Sequence, residues 1–183
     1  GPSPDRTSAG WIRKRLAAGA WLCFEPWVER IEEAGIQWTV PKQGEPKLEG
    51  VTILLSDALG QYQGSVFGLT SGELARWEPA IEVTRRAVAE LQTLGYFGPV
   101  GIDAMRYRDA QGRERLRALQ DINARWTMGR LALGWQRLMP HGIWRHGTIE
   151  ELRERQRSGD AIVRTSPETI GNRDARISTW LES

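Results

Sequence analysis

The stretch Gly95-Tyr96-Phe97-Gly98-Pro99-Val100-Gly101-Ile102-Asp103, with Asp121-Ile122-Asn123-Ala124-Arg125 further on, decides the fold of this chain. Val100–Arg108 and Arg115–Asn123 have strand character and flank Asp109-Ala110-Gln111-Gly112, where Gly112 suits the left-handed position of a three-residue hairpin loop. Pairing Asp109 with Arg113 sets Asp103 opposite Leu119 and diagonal to Asp121, ~7–8 Å apart on one face. Asp121 and Asn123 are two apart on one strand and share that face. Two carboxylates and an amide carbonyl then converge, a hard-oxygen donor set suited to Mg²⁺ or Mn²⁺. Arg125 lies just beyond, where its planar fork suits a phosphate or acyl-phosphate oxygen. The same residues also admit a plainer reading, as turn formers and helix caps at strand ends.

Upstream of this hairpin, Thr70-Ser71-Gly72-Glu73 has the spacing of a capping box. Leu74, Trp77, Ile81, Thr84, Val88 and Leu91 follow at steps of three and four, which predicts an amphipathic helix closed by Gly95 and kinked or split by Pro79. Val51–Leu55 and Ser65–Leu69 flank Asp57–Gly64 as a second hairpin. Ile36–Val40 reads as a strand broken by Pro41, and Trp21–Glu25 as a buried strand stopped by Pro26, with Trp21 and Cys23 in the core. Residues 1–10 are rich in turn formers and read as a loop. Helices are expected from about Thr127 to Met139 and from Thr148 to Arg157, the second opened by a Thr148/Glu151 capping box.

Composition narrows the classes. With 183 residues, 40% hydrophobic and 26% charged, the chain has enough apolar material for one core and reads as a single domain. It has no apolar run approaching ~18 residues, so no membrane span is expected. The lone Cys23 allows no internal disulfide and points to the cytoplasm. A net charge of +2 argues against a nucleic-acid partner. Residues 101–130 are an exception, with Arg106, Arg108, Arg113, Arg115, Arg117, Arg125 and Arg130 against Asp103, Asp109, Glu114 and Asp121, a local positive surplus where phosphates are expected. The nine tryptophans do not alternate with basic residues as a base-stacking groove requires. His141 and His146 lack carboxylates or cysteines at ligand spacing.

The run GIDAMRYRDAQGRERLRALQDINARWTMGR resembles the closing hairpin of ATP-grasp enzymes. In that family an acidic residue on one strand and an acidic-x-Asn pair on the next hold the magnesium ions that bridge the ATP phosphates. The resemblance implies Asp103, Asp121 and Asn123 as metal ligands and Arg125 as the arginine that follows the Asn. Phe24-Glu25-Pro26-Trp27-Val28 resembles the family's linker, whose backbone pairs with adenine, so Glu25, Trp27 and Val28 are implied in nucleotide binding. Gln37 falls near the position of the ribose-binding acid, with Gln as a departure. Thr7-Ser8-Ala9-Gly10 resembles the end of the phosphate-covering loop, whose companion lysine would precede Gly1.

The fold implied is α+β, a mostly antiparallel sheet with helices packed on one side, forming the C-terminal ATP-grasp subdomain. Residues 1–28 would be a remnant of the central subdomain and hinge, 29–140 the C-terminal subdomain with its metal-binding hairpin, and 141–183 a C-terminal extension. The N-terminal half is expected to be absent from this chain and a possible partner of it. The implied activity is ATP-dependent joining of a carboxylate and an amine through an acyl phosphate, with ATP and Mg²⁺ or Mn²⁺ as cofactors. A non-catalytic nucleotide- or partner-binding module and a nucleic-acid-binding domain stand as alternatives.

Overall fold

The structure is a computed structural model that describes residues 6–23, 28–159 and 161–183. Its elements are α1 (Arg6–Ala17), β1 (Glu29–Val40), β2 (Lys47–Ser56), β3 (Tyr62–Phe67), α2 (Ser71–Ala75), α3 (Glu78–Thr93), β4 (Gly98–Arg108), β5 (Glu114–Asn123), α4 (Met128–Trp135), β6 (Gly142–Thr148) and α5 (Ile149–Arg157). They are followed by β7 (Ile162–Arg164), β8 (Thr169–Ile170), β9 (Arg173–Asp174) and β10 (Ile177–Glu182). Eight strands form one sheet in the order β5-β4-β1-β2-β3-β6-β10-β7, and β8 pairs with β9. Adjacent strands run antiparallel. This is the α+β architecture expected, and the segment 141–183 contributes three strands to the same sheet.

β1 is the organising strand. Its residues alternate between faces, as a pleated strand requires. Ala34, Ile36, Trp38 and Val40 enter a core with Val51, Val100, Ile102, Ala104 and the α3 residues Ala80, Ile81 and Val88. Trp38 is fully buried, and its indole Nε1 donates to the Thr84 hydroxyl at 3.1 Å, which donates on to the carbonyl of Ile81. Burying each large side chain here stabilises the fold by ~1.5–3 kcal/mol. α2 and α3 are separate helices, split where Pro79 was expected to interrupt the pattern; Pro79 lies in the first turn of α3, where a missing N–H costs nothing. The Thr70 capping box is formed, with both reciprocal bonds.

Three expectations at the N-terminus fail. Residues 6–10 belong to α1, because the helix formers of Arg13–Ala17 propagate back through Ala9 and Gly10 and no proline intervenes before Pro4. α1 ends at Gly19 in the left-handed conformation, with Ala20 N donating to Arg15 O. Trp21 is wholly exposed and Cys23 is an exposed free thiol, so neither lies in the core; the pairing strand begins only at Glu29. The rest of the expected strand, Phe24 and Glu25, lies outside the described residues.

On the opposite face of β1, Gln37 meets the start of the short α4, and Phe67, Ala132, Trp144 and Leu181 form a second core beneath that helix. Among the described residues, no helix of the α3 kind covers the part of this face around β1, β4 and β5.

Candidate functional site

Ile102 and Ala104 point into the α3 core, so Asp103 between them points to the other face of the sheet. Register then brings the predicted ligands together. Asp103 pairs directly with Asp121, and Gly101 with Asn123. Near the loop the register is the one expected, with Met105 opposite Arg117 and Arg108 opposite Glu114. Between the two halves, Ala118, Leu119 and Gln120 together stand against Ala104, a β-bulge that moves Asp121 from a diagonal position to one directly across from Asp103. Leu119 is not the partner of Asp103.

The hairpin tip is set by Asp109. Its carboxylate accepts from the backbone N–H of Gln111 and Arg113 and from the guanidinium groups of Arg113 and Arg115, which hold it down at about 2. Gly112 follows at φ 73°, the left-handed position predicted.

Asp103 is half-buried, and its carboxyl is pushed up to about 6 by burial, then by Asp121 and Glu33, with Arg125 opposing. The Asn123 amide bridges the pair, its Nδ2 donating to Asp121 Oδ2 at 3.0 Å and to Asp103 Oδ2 at 3.5 Å. Arg125 donates to Asn123 Oδ1 at 2.8 Å and to the carbonyl of Trp126 at 3.2 Å. The site is thus short of positive charge, and its donors are hard oxygens, which fits a divalent cation. Because its folded pKa lies above the ordinary 3.8, Asp103 makes the metal-free fold bind more protons, so its contribution to stability falls as pH rises from about 4 to about 6. Asp103→Asn is expected to stabilise the metal-free chain by ~1–3 kcal/mol at pH 7.5 and by little at pH 4. Urea denaturation at both pH values measures this, and parallel pH profiles for the two proteins would refute it.

The local arginine surplus is mostly spent elsewhere. Arg106 pairs with Glu32 and Glu114, Arg108 with Glu29, Arg113 and Arg115 with Asp109, and Arg130 with Glu49. Arg125 reaches the carboxylate cluster through Asn123 Oδ1.

A cleft of about 630 Å³ is lined by Val28, Glu33, Leu59, Met105, Arg117 and Gln120, among others. Met105 is two residues from Asp103 on β4 and pairs with Glu33, so the cleft and the carboxylate cluster share one face. Val28 lines this cleft, while Glu25 and Trp27 lie outside the described residues. Gln37 is 2% exposed; Thr127 donates to its Oε1 at 2.6 Å, which leaves it sealed under the start of α4 rather than open to a ribose. A Cβ at Gly101 would lie 2.5 Å from Thr127 Cγ2 and 3.0 Å from Gln37 Oε1, so glycine there permits this seal. Two acids line the cleft, Glu29 and Glu33, and Glu33 accepts from Arg30 at 3.0 Å and from Ser56 at 3.2 Å. Starting β1 at Ile36 hid it; its signal was the shared parity of Glu33, Gly35 and Gln37 along one strand.

Comparison with protein families and with curated proteins finds no match. Among solved structures, an ADP complex of N5-carboxyaminoimidazole ribonucleotide synthetase matches 98% of this chain with a TM-score of 0.53 at 13% identity. The biotin carboxylase domain of a thermophilic 2-oxoglutarate carboxylase, bound to bicarbonate, matches 95% of it with a TM-score of 0.50 at 12% identity. The chain has the fold of the C-terminal ATP-grasp half. It spans about half the length of these structures, 52% and 47% respectively. Within this fold, the hairpin β4–β5 and strand β1 carry the carboxylate cluster and border the cleft. No helix among the described residues is long and apolar enough to cross a membrane.

Proposed function

We propose that this chain is the nucleotide- and Mg²⁺-binding half of an ATP-dependent carboxylate–amine ligase that works through an acyl phosphate. The observation that supports it best is the direct pairing of Asp103 with Asp121, beside Asn123, on the face that carries the cleft. In this reading Asp103, Asp121 and Asn123 hold Mg²⁺ or Mn²⁺, the Asn123 amide turning its oxygen toward the carboxylates. The cation supplies charge neutralisation for the triphosphate. Arg125, released from Asn123 Oδ1 by that turn, takes a phosphate or acyl-phosphate oxygen. Val28, with Glu25 and Trp27 of the linker, borders the adenine, and Glu33 takes the ribose in place of Gln37.

Residues 1–28 then form the end of a central subdomain and its hinge, 29–140 the C-terminal subdomain, and 141–183 its extension. The exposed free thiol of Cys23 is in keeping with a cytoplasmic setting. The carboxylate and amine substrates, and the surface opposing the triphosphate, belong to the whole enzyme.

Calorimetric titration with ADP, with and without Mg²⁺, tests the reading. Binding that requires the cation is the expected result. Equal affinity with and without it, or tighter binding of a DNA duplex than of Mg·ADP, would overturn it.

A further inference from the structure

The segment that joins β5 to α4 is tied down at its α4 end by Thr127 and Arg130, side chains with no place in the carboxylate cluster. Arg130, on α4, is 17% exposed and donates Nη2 to Thr39 Oγ1 at 3.1 Å, with the same nitrogen 3.2 Å from Glu49 Oε1. Thr39 also donates to Glu49 at 2.8 Å, so β1, β2 and α4 meet in one polar knot. The Glu49 carboxyl is half-buried, which raises its pKa, and Thr39, Arg130 and Lys47 more than offset this, leaving it below the usual range and ionised. The other terminal nitrogen of Arg130, Nη1, is buried without an acceptor among the described residues, and the guanidinium lies over the Trp126 ring, 5.4 Å from its centre. Trp126 is 61% exposed and is not held by a hydrophobic core. Its carbonyl accepts from Arg125 Nη1, while Arg125 Nη2 donates to Asn123.

We propose that Arg130 is a positioning residue for Arg125. The Glu49–Arg130 pair fixes a flat cation beneath the Trp126 indole, the stacked indole fixes the backbone at 126, and that carbonyl presents the Arg125 guanidinium to Asn123 and the carboxylates. Thr127 adds a second pin by bonding Gln37 and receiving the Arg130 N–H. A lysine at 130 keeps the charge for Glu49 and loses the planar face for Trp126, so it separates pairing from stacking. The consequence for ligand binding rests on the function proposed above; the positioning itself does not.

The test measures the ¹⁵N order parameter of the Arg125 Nε–H in the wild type, Arg130→Lys and Trp126→Leu, together with Mg·ADP affinity. Trp126→Leu, at an exposed position, keeps the test available if the substitution at the half-buried Arg130 unfolds the chain. Both variants are expected to lower the Arg125 order parameter from a rigid value to that of a free side chain, and Trp126→Phe to restore most of it. Mg·ADP affinity should fall about tenfold in Arg130→Lys and no further when Arg125→Ala is added. An unchanged Arg125 order parameter overturns the proposal, as does a loss of affinity that adds to that of Arg125→Ala. A lowered order parameter with no Mg·ADP binding in any protein, wild type included, upholds the positioning and refutes the nucleotide reading instead.

Discussion

Replacing Asp121 with alanine is expected to weaken Mg·ADP binding by ~10²-fold or more, since loss of an outer partner of a metal ligand already costs ~10–100-fold. Asp121 faces Asp103 directly and is bridged to it through Asn123, so the three residues form one unit. Asp103→Ala and Asn123→Ala should each match the Asp121 loss, and the double substitutions should add little, because removing one ligand already dismantles the site they share. Cation alone should bind weakly in every case, three protein oxygens leaving the rest of an octahedron to water. Calorimetry on the single and double variants reads this directly. Losses that add across the pairs, or an Asp121→Ala isotherm that overlays the wild type, would separate these residues from the cation.

The largest effect on stability is expected at Trp38. It is fully buried between α3 and the sheet, and its indole N–H is bonded to Thr84. Trp38→Ala should cost ~3–5 kcal/mol, a large share of the ~5–15 kcal/mol that holds a domain of this kind folded. Trp38→Phe keeps most of the apolar contact and should cost less, since the Thr84 hydroxyl retains Ile81 O as its acceptor. Urea unfolding followed by circular dichroism gives both numbers. A cost below ~1 kcal/mol for alanine would mean that the β1–α3 interface is not the core.

The sequence made the hairpin β4–β5 legible because its loop chemistry is local: Asp109, Gly112 and the strand parity need only neighbouring residues to be read. It made α3 legible through the spacing of Trp77, Ile81, Thr84 and Val88, and both capping boxes through Thr70/Glu73 and Thr148/Glu151. The bulge at Ala118–Gln120 was not legible, since nothing in Ala-Leu-Gln marks a break in pairing, and the exchange of a diagonal for a direct Asp103–Asp121 pair followed from it. Trp21 was misplaced because an apolar run cannot say whether a partner strand exists. Gln37 was expected in the open and Glu33 went unread for a related reason: both point to one face, and only the position of α4, distant in sequence, seals one of them and leaves the other in the cleft.

The bulge in β5 divides the hairpin into two parts that answer to different constraints. On one side, Gly101–Asp103 and Asp121–Asn123 are locked in register; on the other, Met105–Arg108 and Arg117–Glu114 are paired by a turn that Asp109 closes by itself. Residues added or removed in pairs beyond the bulge therefore lengthen or shorten the tip without sliding one aspartate past the other. The tip is a place where this protein can be grafted, labelled or diversified in a library while the arrangement at its base is inherited unchanged.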